Sequence, residues 1–323
     1  MSVHAFVFPG QGSQAVGMGR DLAAAFPVAR EVLEEVDETL KRSLSRLMFE
    51  GPLDELTLTE NAQPAIMATS LAVLRVLETE GGFALRTKAA VVAGHSLGEY
   101  SALAAAGSFT LAEAAVLLRL RGRAMQQAVP AGEGAMAALL GAEMAEAQAI
   151  CEAAAPVPES ETNEIQVIQP ANDNGGGQIV VSGHRAAVER AAEIARERGV
   201  RRAMMLPVSA PFHCSLMAPA ADAMAEALAA TPPRPPVVPV VANASAAKAT
   251  SPSEIVELLV RQVTATVRWR EGVLAMTTLG VDSFVELGAG KVLSGLIRRI
   301  VPDAAVASAA TPAEVEALLK VLT

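Results

Sequence analysis

The residues best suited to chemistry lie at positions 94–98, where Gly94, Ser96 and Gly98 form a G-x-S-x-G pattern. The pattern directly follows a short apolar run and directly precedes a helical one. A serine on so sharp a strand-to-helix turn projects its hydroxyl from the sheet edge, and the flanking glycines let the backbone turn without a Cβ clash. The N–H of Leu97 then points to where an oxyanion forms, at the N-terminus of the following helix. These residues suit nucleophilic attack by Ser96. A Gly-rich turn with a capping serine is the alternative.

A serine nucleophile needs a base, and the chain has four histidines. His95 precedes Ser96, so strand alternation turns its side chain the other way. His4 begins the first apolar run, and His184 sits at a helix start. His213 lies in an irregular loop, SAPFHC (209–214), that enters a helix, where functional side chains often sit. By elimination His213 is the candidate base, with a capping or surface histidine as the competing reading. The third member of a triad is missing. Asp173 and Glu197 are the acids considered between Ser96 and His213, and neither falls at a strand end of the main sheet. A backbone carbonyl can fix the tautomer of His213 instead.

The loop at 10–15, GQGSQA, follows an apolar run and matches the dinucleotide variant G-x-G-x-x-A. That motif also wants a second strand ending in an acid about twenty positions on, and Glu31, Glu34 and Glu35 fall instead inside a helical pattern. The loop can supply a second oxyanion-hole N–H. GAGK at 288–291 is not a P-loop, because Val285 stands where a glycine belongs and Val292 follows the lysine. Arg121 lies about 200° from the face shared by Arg119 and Arg123 and keeps company with Leu117 and Leu118. A cation on the buried side is costly unless it meets an anion. A substrate carboxylate or an internal ion pair would satisfy it.

The first 130 residues must position these groups, and they alternate strands with helices. The spacing predicts a strand at 4–8, a loop at 9–19, helices at 27–47 and 64–80, a buried strand at 89–94, and helices from 97 and over 111–128. The wholly apolar strands indicate a parallel sheet covered on both faces, an α/β architecture, and with the elbow at Ser96 the expected large domain is α/β-hydrolase-like. From 132 to 205 the rhythm becomes strand 134–140, helix 143–154, strand 166–171, turn 172–177, strand 178–182, helix 186–198 and strand 203–207. That β-α-β-β-α-β order is ferredoxin-like and fits an insertion, with an exposed loop at 156–162. The large domain then resumes, with a helix at 218–230, a Pro-rich turn at 231–236, a strand at 237–242, helices at 254–262 and 269–279, a strand at 283–287 and a helix opening at 288–291. The division is therefore 1–131 with 206–323 for the large domain and 132–205 for the small one.

Composition narrows the function classes. In 323 residues, 26 Lys and Arg stand against 35 Asp and Glu, for a net charge of −9. So acidic a chain is a poor candidate for non-specific binding to nucleic acid or anionic membrane, which needs positive surface. A hydrophobic fraction of 51% excludes a disordered chain, and only 3% is aromatic, so small aliphatic side chains must fill the core. Two cysteines, Cys151 and Cys214, are too few for a disulfide framework or a thiolate zinc site. The N-terminus has no signal-peptide pattern, and polar residues interrupt the most apolar stretch, 101–118, short of the roughly 18 residues of a membrane span. The expected location is the cytoplasm.

Five ordered motifs, FPGQGSQ (8–14), GHSLGEYSAL (94–103), RGRAMQ (121–126), PVSAPFHCSLM (207–217) and ELGAGKVLSGL (286–296), together resemble the malonyl-CoA:acyl carrier protein transacylases, the free-standing loading enzymes of type II fatty acid synthesis. The resemblance covers essentially the whole chain. It implies ping-pong transfer of a malonyl group through Ser96, with His213 as base held by the backbone carbonyl of Gln262. It implies an oxyanion hole from the N–H groups of Gln11 and Leu97, and Arg121 as clamp for the malonyl carboxylate. It further assigns Asn172, Asn174, Arg201 and Arg202 to the coenzyme A or carrier side of the cleft, and Phe212 to disfavouring α-methyl branching. It implies malonyl-CoA and acyl carrier protein as partners, a coenzyme A thioester as substrate with no other cofactor or metal, and a monomer. Because carriers are acidic, docking needs a basic patch, and Arg196, Arg198, Arg201 and Arg202, or Lys291 with Arg298 and Arg299, are the candidates. A hydrolase with the same elbow and a non-catalytic docking module are the other two readings.

Overall fold

A computed structural model describes residues 2–157 and 165–322. Its larger sheet has six strands in the order β10-β9-β1-β2-β7-β8. These are β1 (His4–Phe8), β2 (Ala89–Gly94), β7 (Val240–Val241), β8 (Lys248–Ala249), β9 (Ser283–Leu287) and β10 (Ala305–Ala309). Every neighbouring pair is parallel except β7 with β8. The apolar character of β1 and β2 follows from burial on both faces. Phe6, Phe8, Val92, Val285 and Leu287 pack one way, with Ile66 and Met67 of the helix Thr59–Gly81. Ala5, Val7, Val91, Ala93 and Phe284 pack the other way, against Trp269, Val273 and Leu296. This alternation is the period of two that a strand imposes.

The smaller sheet has the order β4-β5-β3-β6, antiparallel throughout, from β3 (Gly134–Leu140), β4 (Ile168–Asp173), β5 (Gln178–His184) and β6 (Arg202–Met205). The helices Met144–Ala154 and Arg185–Glu197 cover one face through Ala137, Leu139, Ile150, Val188 and Ala191. Met136, Ala138 and Val180 of the other face join the core of the larger sheet. The chain thus runs β-α-β-β-α-β through this unit. It is fastened at β4, where Asn172 bridges Val267 in parallel, the Asp173 N–H donates to the Val267 carbonyl (2.9 Å), and the Arg270 guanidinium meets the buried Asp173 carboxylate at 2.9 Å.

Several predicted boundaries move. The helix expected over 27–47 is two helices, Pro27–Leu40 and Leu44–Glu50. Lys41 takes the left-handed conformation (φ 51°), and Asp37 turns its carboxylate to the N–H and hydroxyl of Ser45, a local competitor to continuing the helix. The helix predicted from Pro64 starts at Thr59 and carries the proline inside it. Only two residues of the strand expected at 237–242 pair as β7, since Pro239 has no N–H to donate. The strand β10 and the helix Pro312–Leu322 were not expected. Of the exposed loop anticipated at 156–162, residues 158–162 lie outside the described residues, and Pro156 pairs with Ile165.

Candidate active site

The elbow at Ser96 is built by its glycines and by the end of β1. Ser96 has φ 53°, a conformation that costs a non-glycine residue energy and persists only where its surroundings enforce it. A Cβ on Gly94 would lie 1.9 Å from the Gly98 carbonyl, and one on Gly98 would lie 2.2 Å from the Phe8 carbonyl oxygen. Neither position admits any other residue without movement. The turn is also held from outside by Asn243. Its Oδ1 accepts the Ser96 N–H at 2.7 Å, and its Nδ2 donates to the Gly94 carbonyl at 2.7 Å.

His213 meets Ser96 from the loop that follows β6. Its Nε2 lies 2.7 Å from Ser96 Oγ, and its Nδ1 lies 2.9 Å from the Gln262 carbonyl oxygen. A carbonyl can only accept, so Nδ1 carries the proton and Nε2 is left to receive the serine hydroxyl proton. The base is fixed by a main-chain oxygen where a carboxylate is more usual. Burial, and then the positive charge of Arg121, push His213 down to about 3, so its imidazole is neutral and free to act as a base. The His95 ring turns away, as alternation requires, to Trp269 (centroids 5.7 Å apart) and to Asn174 Oδ1 at 2.8 Å.

Arg121 is 1% exposed and reaches the same point from the helix Leu111–Gln127. Its Nη1 donates to Gln63 Oε1 (2.9 Å) and its Nη2 to Gln262 Oε1 (2.9 Å) and Ser96 Oγ (3.2 Å). Among the described residues Nε has no partner and no carboxylate lies in ion-pair contact with the guanidinium. The Tyr100 ring lies beneath the cation at 5.8 Å. A buried cation whose hydrogen bonds go only to neutral oxygens, with the Glu99 carboxyl acting on it through space and not in contact, can take an anion on its free side.

These groups open on a cavity of about 840 Å³ lined by Gln11, Ser96, Leu97, Arg121, Asn172, Phe212 and His213. The N–H groups of Gln11 and Leu97 donate to no other group among the described residues. They are available to a ligand oxygen, and that of Leu97 stands at the head of the helix Gly98–Ala105. Other expected contacts fall elsewhere. Asn174 is engaged with His95, and Arg201 and Arg202 stand exposed at the start of β6, outside this lining. Among the described residues no cluster of His, Cys, Asp and Glu could hold a metal ion, and no helix is long and apolar enough to cross a membrane.

Three residues of the site escaped the sequence reading: Gln63, Asn243 and Glu99. Glu99 is 2% exposed on the first turn of the elbow helix. Its Oε2 accepts the Asn243 N–H and the Gln262 side-chain N–H, each at 2.8 Å. Burial lifts its carboxyl to about 7, against the pull of those two donors and of Arg121. The signal for Glu99 was its place three residues after Ser96, on a helix whose neighbouring positions are otherwise small or apolar.

A strained serine, a neutral histidine and two unengaged N–H groups around one cavity define a covalent acyl-transfer centre. The comparisons agree: the acyl transferase domain family matches residues 5–318, and the chain belongs to that family as an acyltransferase. Among its relatives are malonyl CoA-acyl carrier protein transacylases, one from Bacillus subtilis, 47% identical over 93% of this chain and 91% of that one, and one from Escherichia coli K12, 44% identical over 99% and 100%. The solved acyl-carrier-protein-S-malonyltransferase of Bartonella henselae is similar at 52% identity, with a TM-score of 0.94 over 99% of each chain. A malonyl-transacylase in complex with a type II PKS acyl-carrier protein gives 0.93 at 41% identity, again over 99% of each chain.

Proposed function

We propose that this enzyme moves a malonyl group from malonyl-CoA to the phosphopantetheine thiol of an acyl carrier protein, through a malonyl ester on Ser96. The observation that carries the reading is Arg121, a buried cation with an unpartnered Nε and no carboxylate in ion-pair contact among the described residues, 3.2 Å from the nucleophile. His213 Nε2 takes the proton as Ser96 Oγ bonds to the thioester carbon. The oxyanion is met by the N–H groups of Gln11 and Leu97, of which one such donor is worth about 3–4 kcal/mol in the transition state. Collapse breaks the carbon–sulfur bond, and His213 returns its proton to the coenzyme A thiolate. The carrier thiol then repeats the sequence on the ester, giving up its proton to His213, which returns it to Ser96 Oγ. Arg121 presents planar paired donors to the malonyl carboxylate, a geometry that lysine lacks.

The same reading assigns Phe212, beside the base, to crowding an α-methyl branch, and Asn172 to the thioester arm. Asn174, Arg201 and Arg202 would face the nucleotide or carrier further out. Arg196, Arg198, Arg201 and Arg202 are exposed and make no ion pair among the described residues, whereas Lys291 is engaged with Glu314 at 2.7 Å, which favours the first cluster for an acidic carrier. We read residues 1–131 with 206–323 as an α/β-hydrolase-like catalytic domain and 132–205 as a ferredoxin-like insert, in a monomeric cytoplasmic enzyme of fatty acid synthesis that needs no metal or cofactor beyond its thioester substrate.

Intact-protein mass spectrometry after mixing the enzyme with equal malonyl-, methylmalonyl- and acetyl-CoA tests this. A single malonyl adduct on Ser96, absent in Ser96→Ala, is the expected result. Free acid without an adduct would identify a hydrolase. No reaction would leave the fold without this chemistry.

A further inference from the structure

Glu99 touches neither substrate nor the reacting atoms in the scheme above, yet its carboxyl is joined to them through Gln262 and Asn243. The key is the side-chain amide of Gln262, which has a donor end and an acceptor end. Its Nε2 faces three oxygens: Glu99 Oε2 at 2.8 Å, the Ser96 carbonyl at 3.1 Å and Asn243 Oδ1 at 3.3 Å. Its Oε1 faces Arg121 Nη2 at 2.9 Å. Reversing the amide would set oxygen against oxygen on one side and donor against donor on the other. The nearest of the three oxygens belongs to Glu99. The Ser96 carbonyl also accepts the Glu99 N–H at 3.0 Å, and Asn243 Oδ1 is already taken by the Ser96 N–H.

Resting on the malonyl-serine reading, we infer that Glu99 is a positioning residue for selectivity. By accepting the Gln262 side-chain N–H it turns that amide so that its oxygen holds Arg121, while the main-chain carbonyl of the same glutamine holds His213. The carboxylate clamp and the base are thereby set by one residue with a fixed polarity. Glu99 also accepts the Asn243 N–H, so its loss removes that donor's acceptor and takes from the Gln262 amide its nearest one, leaving only the longer contacts to two oxygens that already accept other N–H groups. A carboxylate so buried, without an ion-pair contact among the described residues, costs stability by itself and has its return in the geometry above it.

The test compares Ser96 loading from malonyl-CoA and from acetyl-CoA, each as kcat and KM, in the parent, Glu99→Ala and Glu99→Gln, with thermal unfolding recorded for each. An acetyl group has no carboxylate for Arg121 to hold. Glu99→Ala should therefore slow malonyl loading by about 10²-fold, the scale of a small misplacement of catalytic groups, and acetyl loading much less, so that the malonyl preference collapses. Glu99→Gln keeps an acceptor oxygen in place and should restore the preference. Should Glu99→Ala not fold, Glu99→Asp draws the oxygen back by one methylene and carries the same expectation. An equal slowing of both thioesters overturns the inference, as does Glu99→Gln behaving like Glu99→Ala. A parent enzyme that takes no malonyl group overturns the malonyl-serine reading itself, and this inference with it.

Discussion

The imidazole of His213 is held from behind by the main-chain oxygen of Gln262, 2.9 Å from Nδ1, while its Nε2 faces Ser96 Oγ at 2.7 Å. A carboxylate in that place would raise the affinity of His213 for a proton. A neutral carbonyl does so less, so burial first and then the charge of Arg121 prevail and hold the base at about 3.

The pH dependence follows. The base form of His213 persists far below the ordinary histidine value of 6.5, so the rate of Ser96 acylation should stay level from pH 8 down to about 5. A rate that halves near 6.5 in Glu99→Gln, where the carboxyl lifted to about 7 is absent, would contradict the assignment. Stability moves as well. Below 6.5 the unfolded chain takes up a proton at His213 that the folded chain refuses until near 3, so this group makes the fold progressively less stable on acidification through that window. Rapid-quench acylation and thermal melts across the same buffers separate the two effects.

Arg121 gives the selectivity prediction. Arg121→Ala removes a buried cation that faces the nucleophile, and malonyl loading should fall by about 3 kcal/mol in transition-state terms, roughly 10²-fold. Acetyl-CoA has no carboxylate to lose, so its loading should hold or rise. Arg121→Lys should recover only part of the malonyl rate, since a point charge cannot offer the paired donors. Competition between the two thioesters, read as the adduct ratio, checks this. An unchanged ratio would make Arg121 a structural residue.

How far the sequence carried is clearest at this site. Ser96 was legible because its elbow is local: two glycines, a buried strand and a helix within a dozen residues. Arg121 was legible from helical phase alone, and His213 by elimination among four histidines. Glu99, Asn243 and Gln63 were not, because their partners are set by tertiary folding; Glu99 meets Gln262 across 163 residues of chain. The same reason hid the contact of Asn174, named on the coenzyme A or carrier side, with His95 just past the end of β2. In the fold, β10 was missed because AVASA is half-exposed and short of large apolar residues, so it has no continuous hydrophobic run. The helix after it did carry a signal, since Glu314 accepts the N–H of Thr311 three residues earlier, a capping pattern.

Gly98 offers a steric test of the elbow. A methyl group there would stand 2.2 Å from the Phe8 carbonyl oxygen, which belongs to a buried central strand and cannot yield. Gly98→Ala should destabilise the fold by about 1–3 kcal/mol, as overpacking does, and should also displace Ser96 from His213. Calorimetry measures the first, and loss of the Ser96 adduct in the folded fraction measures the second. A normal melt with normal loading would mean that the elbow is looser than its contacts imply.

Asn243 separates placement of the nucleophile from selection of the acyl group. Its side chain accepts the Ser96 N–H and donates to the Gly94 carbonyl, both at 2.7 Å, and so pins the two ends of the turn that strains Ser96. Asn243→Ala leaves both main-chain groups without a partner, at about 1–3 kcal/mol for each buried group left unpaired. The melting temperature should fall and acylation should slow. Unlike Glu99→Ala, this change leaves the Gln262 oxygen on Arg121, since Nε2 keeps Glu99 and the Ser96 carbonyl as acceptors. Malonyl and acetyl loading should therefore slow together, with the adduct ratio of the parent retained. A ratio that collapses in Asn243→Ala as it does in Glu99→Ala would show that the turn and the clamp are one unit, and that selectivity depends on the elbow itself.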